Sequence, residues 1–175
     1  MDQPNGLTKI VPLLVTQHQQ IRSLLDAVSN ATGDGRRGAF ENFRRFLAVH
    51  EAAEEEAVHP AARTGAGGVV EQRLAEEYEA GQTISKLEDL DPDSEAFEDL
   101  FAELKHAVAA HARHEEQQEF PALAEVVDAV SLDRLHHVVR LVEPLGSTPA
   151  ATDAQPFETQ LAQRRQHFRG AATGG

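Results

Sequence analysis

Apolar residues recur along this chain with the three-to-four-residue period of amphipathic helices, and no segment alternates in the two-residue manner of a strand. The pattern predicts four long helices: residues 12–29, a second from a cap at Asp34 to Pro60, residues 69–90, and about 94–127. Clusters of Gly, Asn, Asp and Pro separate these stretches. A shorter fifth helix is expected to begin at Ser131.

Four long helices with short connections favour an antiparallel up-down-up-down four-helix bundle. We expect residues 1–145 to form this bundle together with the fifth helix. After Leu145 the composition turns to Gly, Ser, Thr, Pro and Ala, which is typical of a flexible segment. Residues 146–175 are therefore predicted to be a flexible tail, in which residues 157–168 could form one short helix. The fold class predicted is all-α with a short C-terminal helical extension.

One motif occurs twice within the apolar stripes. Each copy has a histidine, a glutamate four residues later, a second glutamate beside it and a proline ten after the histidine: His50, Glu54, Glu55, Pro60, and His111, Glu115, Glu116, Pro121. Positions i and i+4 of a helix share one face, so each copy directs an imidazole and a carboxylate to the same side. His18 lies in the middle of the apolar stripe of the first helix. Buried carboxylates that repel one another are costly, and a pair of metal ions removes that cost.

The composition narrows the chemistry of such a site. The 175 residues include no cysteine, so a metal must be held by histidine, carboxylate or phenolate. The formal charge of −13 argues against nucleic acid and anionic membranes as partners. The N-terminal segment lacks the pattern of a signal peptide, and no apolar stretch is long enough to span a bilayer. We expect a cytoplasmic protein, whose oligomeric state the sequence leaves open.

The chain resembles hemerythrin-like (HHE cation-binding) domains over about residues 10–128. The matching pieces are Gln17-His18, His50-x-x-x-Glu54, and His111-x-x-x-Glu115-Glu116 followed by Phe120-Pro121. The resemblance implies a four-helix bundle that holds two non-haem iron ions bridged by an oxo or hydroxo group. It also implies that His18, His50 and His111 are terminal ligands and that Glu54 and Glu115 bridge the irons.

The third helix departs from the family pattern, because Tyr78 stands where a histidine is usual. We interpret Tyr78 as a phenolate ligand, since iron accepts tyrosine oxygen. Glu77 is the alternative ligand, and a tyrosine that only packs beside the site is the other interpretation. His114, His136 or His137 could supply the missing nitrogen. His59, close to half a turn from His50 on a regular helix, is predicted to pack or to lie on the surface.

These features predict a non-haem di-iron protein that reacts with a small oxidant: hydrogen peroxide, nitric oxide or dioxygen. Glu54, Glu115 and Tyr78 are the residues expected to carry the reaction. An oxygen donor in place of nitrogen favours ferric iron, so catalase-like peroxide dismutation or nitric oxide scavenging is favoured over reversible oxygen carriage. The alternative is a module that senses oxygen, iron or redox state, or binds oxygen reversibly, without turnover.

Overall fold

The chain folds into helices throughout the residues that the structure, a computed structural model, describes: 7–128, 131, 135–137, 139–140 and 155–173. The α-helices are listed here in chain order: α1 Leu7–Asn30, α2 Gly33–Ala53, α3 His59–Glu88, α4 Glu95–His114, α5 Phe120–Val126 and α6 Phe157–Thr173. Two π-helical turns, Glu54–Val58 and Glu115–Glu119, join α2 to α3 and α4 to α5. Those residues contain no strand, and the all-α prediction is confirmed.

The bundle has four helical rods, of which two are built from several elements. The second rod is α2, the first π-helical turn and the beginning of α3. At Ala66 the backbone leaves helical geometry, with φ −139° and ψ 36°, so residues 67–88 form the third rod. The fourth rod is α4, the second π-helical turn and α5; at its start the Ser94 hydroxyl accepts a hydrogen bond from the Phe97 N–H (3.2 Å). The predicted four-helix bundle is confirmed.

The π-helical turns precede the prolines of the repeated motif. The His59 N–H donates to the Glu54 carbonyl and the Phe120 N–H to the Glu115 carbonyl, five residues back instead of four. Pro60 and Pro121 follow at once; neither has an N–H to donate, and a proline ring crowds the carbonyl of the preceding turn. Because each π-helical turn holds one extra residue, side chains beyond it are rotated by about 100° relative to a regular α-helix.

Two apolar clusters fill the ends of the bundle, and the polar residues of the motif lie between them. The larger cluster includes Phe43, Phe97 and Phe101. The smaller one includes Leu14, Val58, Ala62, Phe120 and Leu123. α1, the second rod and the fourth rod each contribute side chains to both clusters. In α1, His18 lies between the two sets of apolar residues, and in the two rods a histidine and a glutamate of the motif do so. The metal-competent side chains are therefore placed in the middle of the core.

The C-terminal helix α6 belongs to this core; within residues 146–175 the sequence analysis expected a flexible tail, with a possible short helix at 157–168. Phe157, Leu161 and Phe168 are buried in the larger cluster, and α6 packs mainly against α2. Arg165 pairs with Glu55 and Arg169 with Glu56, which ties α6 to the first π-helical turn. Residues 146–154 and most of the predicted fifth helix lie outside the described residues. Among the helices described, none is both long and apolar enough to cross a bilayer.

Candidate metal centre

His18 and the histidine and first glutamate of each motif copy converge in the centre of the bundle. His18, His50, Glu54 and Glu115 form one group whose ligand atoms all lie within 4.8 Å of one another. A second group of the same kind consists of Glu54, Glu77, His111 and Glu115. Glu54 and Glu115 belong to both groups and are fully buried. The geometry therefore offers two adjacent cation positions that share two carboxylates.

Hydrogen bonds on the outer side fix the orientation of the His50 ring. Gln17 Nε2 donates to the Val139 carbonyl (3.2 Å), so Gln17 Oε1 faces His50 and accepts from His50 Nδ1–H (3.0 Å). In the neutral ring the lone pair is then on Nε2. That atom points inward and lies 3.1 Å from Glu54 Oε2.

His18 and His111 are held in the same way. His18 Nδ1–H donates to Glu116 Oε1 (2.9 Å), and His111 Nδ1–H donates to Glu76 Oε2 (3.0 Å). Their Nε2 atoms point inward, 3.2 Å and 3.3 Å from the two oxygens of Glu115. Metal-binding histidines commonly donate their second ring N–H to an outer acceptor, which fixes the tautomer for ligation.

The residues present fit a bound cation. His18 Nε2, His111 Nε2 and all four carboxylate oxygens of Glu54 and Glu115 are buried and have no hydrogen-bond partner among the described residues. Each buried polar atom left unpaired costs about 1–3 kcal/mol. A cation placed among them would satisfy these atoms together, and imidazole with carboxylate is a donor set that suits iron.

Burial and mutual repulsion shift the pKa values of the cluster in the absence of metal. Burial, followed by the charge of Glu115, raises the pKa of Glu54 to about 8. Burial raises the pKa of Glu77 to about 7 and lowers the pKa of His50 to about 4. Burial would also raise the pKa of Glu115, but the charge and hydrogen bond of His111 hold it well below its usual range. Without a cation, the cluster therefore keeps one shared carboxyl protonated near neutral pH, and cation binding must displace that proton.

We predict that the metal-free protein loses stability as the pH rises from 6.5 to about 8. Over this window the folded state retains protons on Glu54 and Glu77, with pKa values of about 8 and 7, that the unfolded chain has already released. The free energy of unfolding therefore falls with pH. The shifts of His50 and Glu115 act below pH 6.5. Burial alone would lower the pKa values of His59 and His111, but the adjacent carboxylates raise both well above 6.5, which adds to the loss of stability in this window.

The thermal midpoint of chelator-treated protein at pH 6.5 and pH 8.5 measures this effect. The Glu54→Gln variant serves as the control and should show a weaker dependence on pH. A midpoint that rises between the two pH values in the metal-free wild type would contradict the prediction.

The structure corrects the assignment of Tyr78. Its side chain is 67% exposed and lies outside both groups, whereas Glu77 is 5% exposed and belongs to the second group. Successive residues on a helix are about 100° apart, so the two cannot face the same point. The packing of α3 turns Glu77 inward and Tyr78 to the surface.

The three histidines named as possible substitutes for the missing nitrogen lie elsewhere. His114 donates through Nδ1–H to Glu76 Oε1 (2.9 Å), the same carboxylate that orients His111, and its side chain is 41% exposed. His136 and His137 contact each other, with ring centroids 5.9 Å apart. Within the searched part of the chain, none of the three belongs to a metal-competent group.

The cluster also contains two residues that the sequence analysis placed elsewhere or left out. His59 is 1% exposed and Glu119 is fully buried, and with Glu115 they form a third metal-competent group. The prediction that His59 packs away from the site assumed a regular α-helix. The π-helical turn before it rotates His59 back towards the face of Glu54. Pro60, ten residues after the motif histidine, is the signal that could have predicted this rotation.

A cavity of about 290 Å³ adjoins the cluster. Four of the metal-competent side chains contribute to its wall, namely His18, His50, Glu77 and His111. The rest of the inner wall is largely apolar, and the exposed Glu79 and Glu103 also line the cavity, so it reaches the surface. The space suits a molecule of a few heavy atoms beside the cluster.

The family model described as hemerythrin HHE cation binding domain matches residues 9–123, from α1 into α5. The matched region contains every residue of the three metal-competent groups. No curated protein and no solved structure matches the chain.

Proposed function

Because this chain belongs to the hemerythrin HHE cation-binding domain family, we propose that it holds two iron ions and reacts with a small oxidant, hydrogen peroxide in the first place. The observation that carries the proposal is the pair of four-residue groups that share Glu54 and Glu115. Membership of the family makes the chain a metal-binding module. The reaction is the further step, and it follows from the donor set and the cavity.

The two positions have different donor sets. His18 and His50 would hold the first ion and His111 and Glu77 the second, with Glu54 and Glu115 bridging. Carboxylate is a harder and more negative donor than imidazole, so Glu77 favours the ferric state at the second position. That preference works against reversible oxygen carriage, which requires a stable ferrous pair. Glu77 thus takes over the tuning role that the sequence analysis gave to Tyr78.

The cavity selects for small neutral molecules. Ile21, Leu47, Leu104 and Val108 line it and limit the entry of bulk water. Among the charged side chains that line the cavity, glutamates such as Glu79 and Glu103 outnumber Arg22, and together with the net charge of −13 they disfavour anions. Hydrogen peroxide and nitric oxide are both small and neutral and satisfy these constraints.

Electron balance favours peroxide among the neutral candidates. Iron supplies reversible one-electron redox chemistry when bound. In dismutation, one peroxide molecule is oxidised to dioxygen and another is reduced to water, so no external reductant is consumed. Reduction of nitric oxide needs electrons from a donor. The chain's own contribution is to orient three imidazoles through Gln17, Glu116 and Glu76, and to shape the cavity.

A sensing module is the second candidate, and one observation favours it. Arg165 and Arg169 of α6 pair with Glu55 and Glu56, which directly follow the shared ligand Glu54. A change at the centre that moves the first π-helical turn would be transmitted to α6. In that case the centre would respond to oxygen, iron or redox state without turnover.

The peroxide hypothesis predicts steady oxygen evolution from iron-loaded protein. An oxygen electrode measures gas release after hydrogen peroxide is added to protein reconstituted anaerobically with iron and freed of excess metal. We expect turnover in the wild type and in Tyr78→Phe, and loss of turnover in Glu54→Gln. A reduced sample that takes up and releases oxygen repeatedly, and does not consume peroxide, would instead support the reversible-binding alternative.

A further inference from the structure

His59 lies between two carboxylates at the inner edge of the cluster. Its Nδ1 is 2.7 Å from Glu119 Oε1, and its Nε2 is 2.7 Å from Glu77 Oε1. All three side chains are buried. The second oxygens of Glu77 and Glu119 have no hydrogen-bond partner in the described part of the chain. Neither His59 nor Glu119 has a role in the proposed function.

The outer side of His59 resembles that of the three proposed imidazole ligands, whereas its Nε2 makes a hydrogen bond to Glu77 (2.7 Å) that the Nε2 atoms of His18 and His111 lack. In His18, His50 and His111, Nδ1–H donates to an outer acceptor and Nε2 points to a carboxylate that belongs to a metal-competent group. In His59 the acceptor for Nδ1–H is Glu119, and Nε2 points to Glu77. A carboxylate behind a histidine fixes its tautomer and raises its basicity as a ligand.

His59 belongs to the third metal-competent group, with Glu115 and Glu119, and its contact with Glu77 links it to the second group. Glu77 Oε1 lies 2.7 Å from His59 Nε2 and 3.7 Å from His111 Nε2, so one carboxylate oxygen stands beside both imidazoles. Glu77 and His111 belong to the second group, which has one imidazole where the first group has two. A second imidazole at that position would give each metal position two imidazole nitrogens.

We propose that His59 is a fourth imidazole ligand of the centre, which binds the second metal position through Nε2 while Glu119 holds its Nδ1–H. The inference rests on the proposed metal centre. It places the nitrogen missing from the third rod on the second rod, nine residues after His50, where the π-helical turn brings it to the site. Glu119, brought inward in the second π-helical turn, is then a positioning residue.

The competing role for His59 is a protonated imidazolium that balances the charges of Glu77 and Glu119. Protonation and ligation compete for the same Nε2, so the two roles predict different states of that nitrogen once the site is loaded. NMR spectra of the full chain with ¹⁵N-labelled histidine, recorded without metal and with zinc as a diamagnetic probe, distinguish them. We expect the zinc-loaded protein to have four histidines with Nε2 bound to metal, one of which disappears in His59→Gln. A His59 that retains protons on both nitrogens after zinc loading would overturn the inference.

Zinc affinity gives an independent test. Outer-shell partners of metal ligands typically change affinity by about 10–100-fold, so Glu119→Gln should weaken the second zinc equivalent by such a factor and leave the first unchanged. His59→Gln should weaken the same equivalent at least as much. His106→Gln, the same change at an exposed position, is the control. Equal second-equivalent affinities in all of these proteins would overturn the inference.

The outcome for the wild type separates this inference from the proposed function. If the wild type binds two zinc ions and His59 stays protonated, the fourth-ligand assignment fails and the two-metal centre stands. If the wild type binds fewer than two, the proposed centre fails, and the assignment of His59 fails with it.

Discussion

Glu115→Gln should remove iron from both positions of the centre, whereas His50→Gln should affect one. Glu115 contributes to both metal-competent groups and His50 only to the first. Glutamine keeps the volume of the side chain but removes a negative donor common to both groups, so each of the two proposed ions would lose a ligand. We expect about two irons per chain in the wild type, about one in His50→Gln and about zero in Glu115→Gln. Elemental analysis after anaerobic iron loading and desalting measures the content.

Two variants control this experiment. Tyr78→Phe changes the residue that the sequence suggested as a ligand but that is exposed in the fold, and it should keep the wild-type iron content. Glu125→Gln makes the same chemical change as Glu115→Gln at an exposed position. Full iron loading in Glu115→Gln, or a loss in Tyr78→Phe as large as in His50→Gln, would refute the assignment.

Phe157→Ala should destabilise the protein by about 3–5 kcal/mol, as large-to-small substitutions in well-packed cores do. Phe157 is completely buried at the start of α6, in the same cluster as Phe43 and Phe97. Its backbone N–H donates to Glu88 Oε1 (2.7 Å), which fixes the beginning of the helix against the third rod. Chemical denaturation of the metal-free protein, followed by circular dichroism, measures the free energy of unfolding.

Gln166→Ala on the exposed side of α6 is the matched control. Surface substitutions usually change stability by no more than about 0.5 kcal/mol, so this variant should unfold with the wild type. If Phe157→Ala and Gln166→Ala are equally stable, α6 does not contribute to the core. In that case the description of residues 157–173 as a tail would be correct after all.

The sequence was sufficient to predict the bundle and five of the converging side chains. The helical period of the apolar residues specifies four rods, and each rod must bury its stripe against the others. His18, His50, Glu54, His111 and Glu115 interrupt those stripes, so they had to enter the core with them. The i, i+4 spacing then places each motif histidine one turn from its glutamate. All of these arguments use local periodicity alone.

The choice between Glu77 and Tyr78 needed the tertiary structure. The two residues are adjacent, and a family pattern pointed to Tyr78 as the ligand position. The rotation of the third rod is set by how its apolar side chains pack against the neighbouring helices. A rotation of about 100° exchanges one residue for the next, which is finer than a periodicity argument can resolve.

The placement of His59, Glu119 and α6 shows the same division between local and tertiary information. The prolines of the repeated motif could have signalled a change of helical register, but the folded chain was needed to show that a π-helical turn brings His59 to the cluster. The segment that precedes residues 157–173 is rich in small and polar residues, so there was little sign in the sequence that a core helix follows. The three buried apolar side chains of α6 form a core face only because the bundle offers a complementary surface. The sequence by itself determined which elements form and which groups must be buried together. The tertiary structure decided the rotation of each rod and the helix that covers the bundle, because those depend on contacts between residues far apart in the chain.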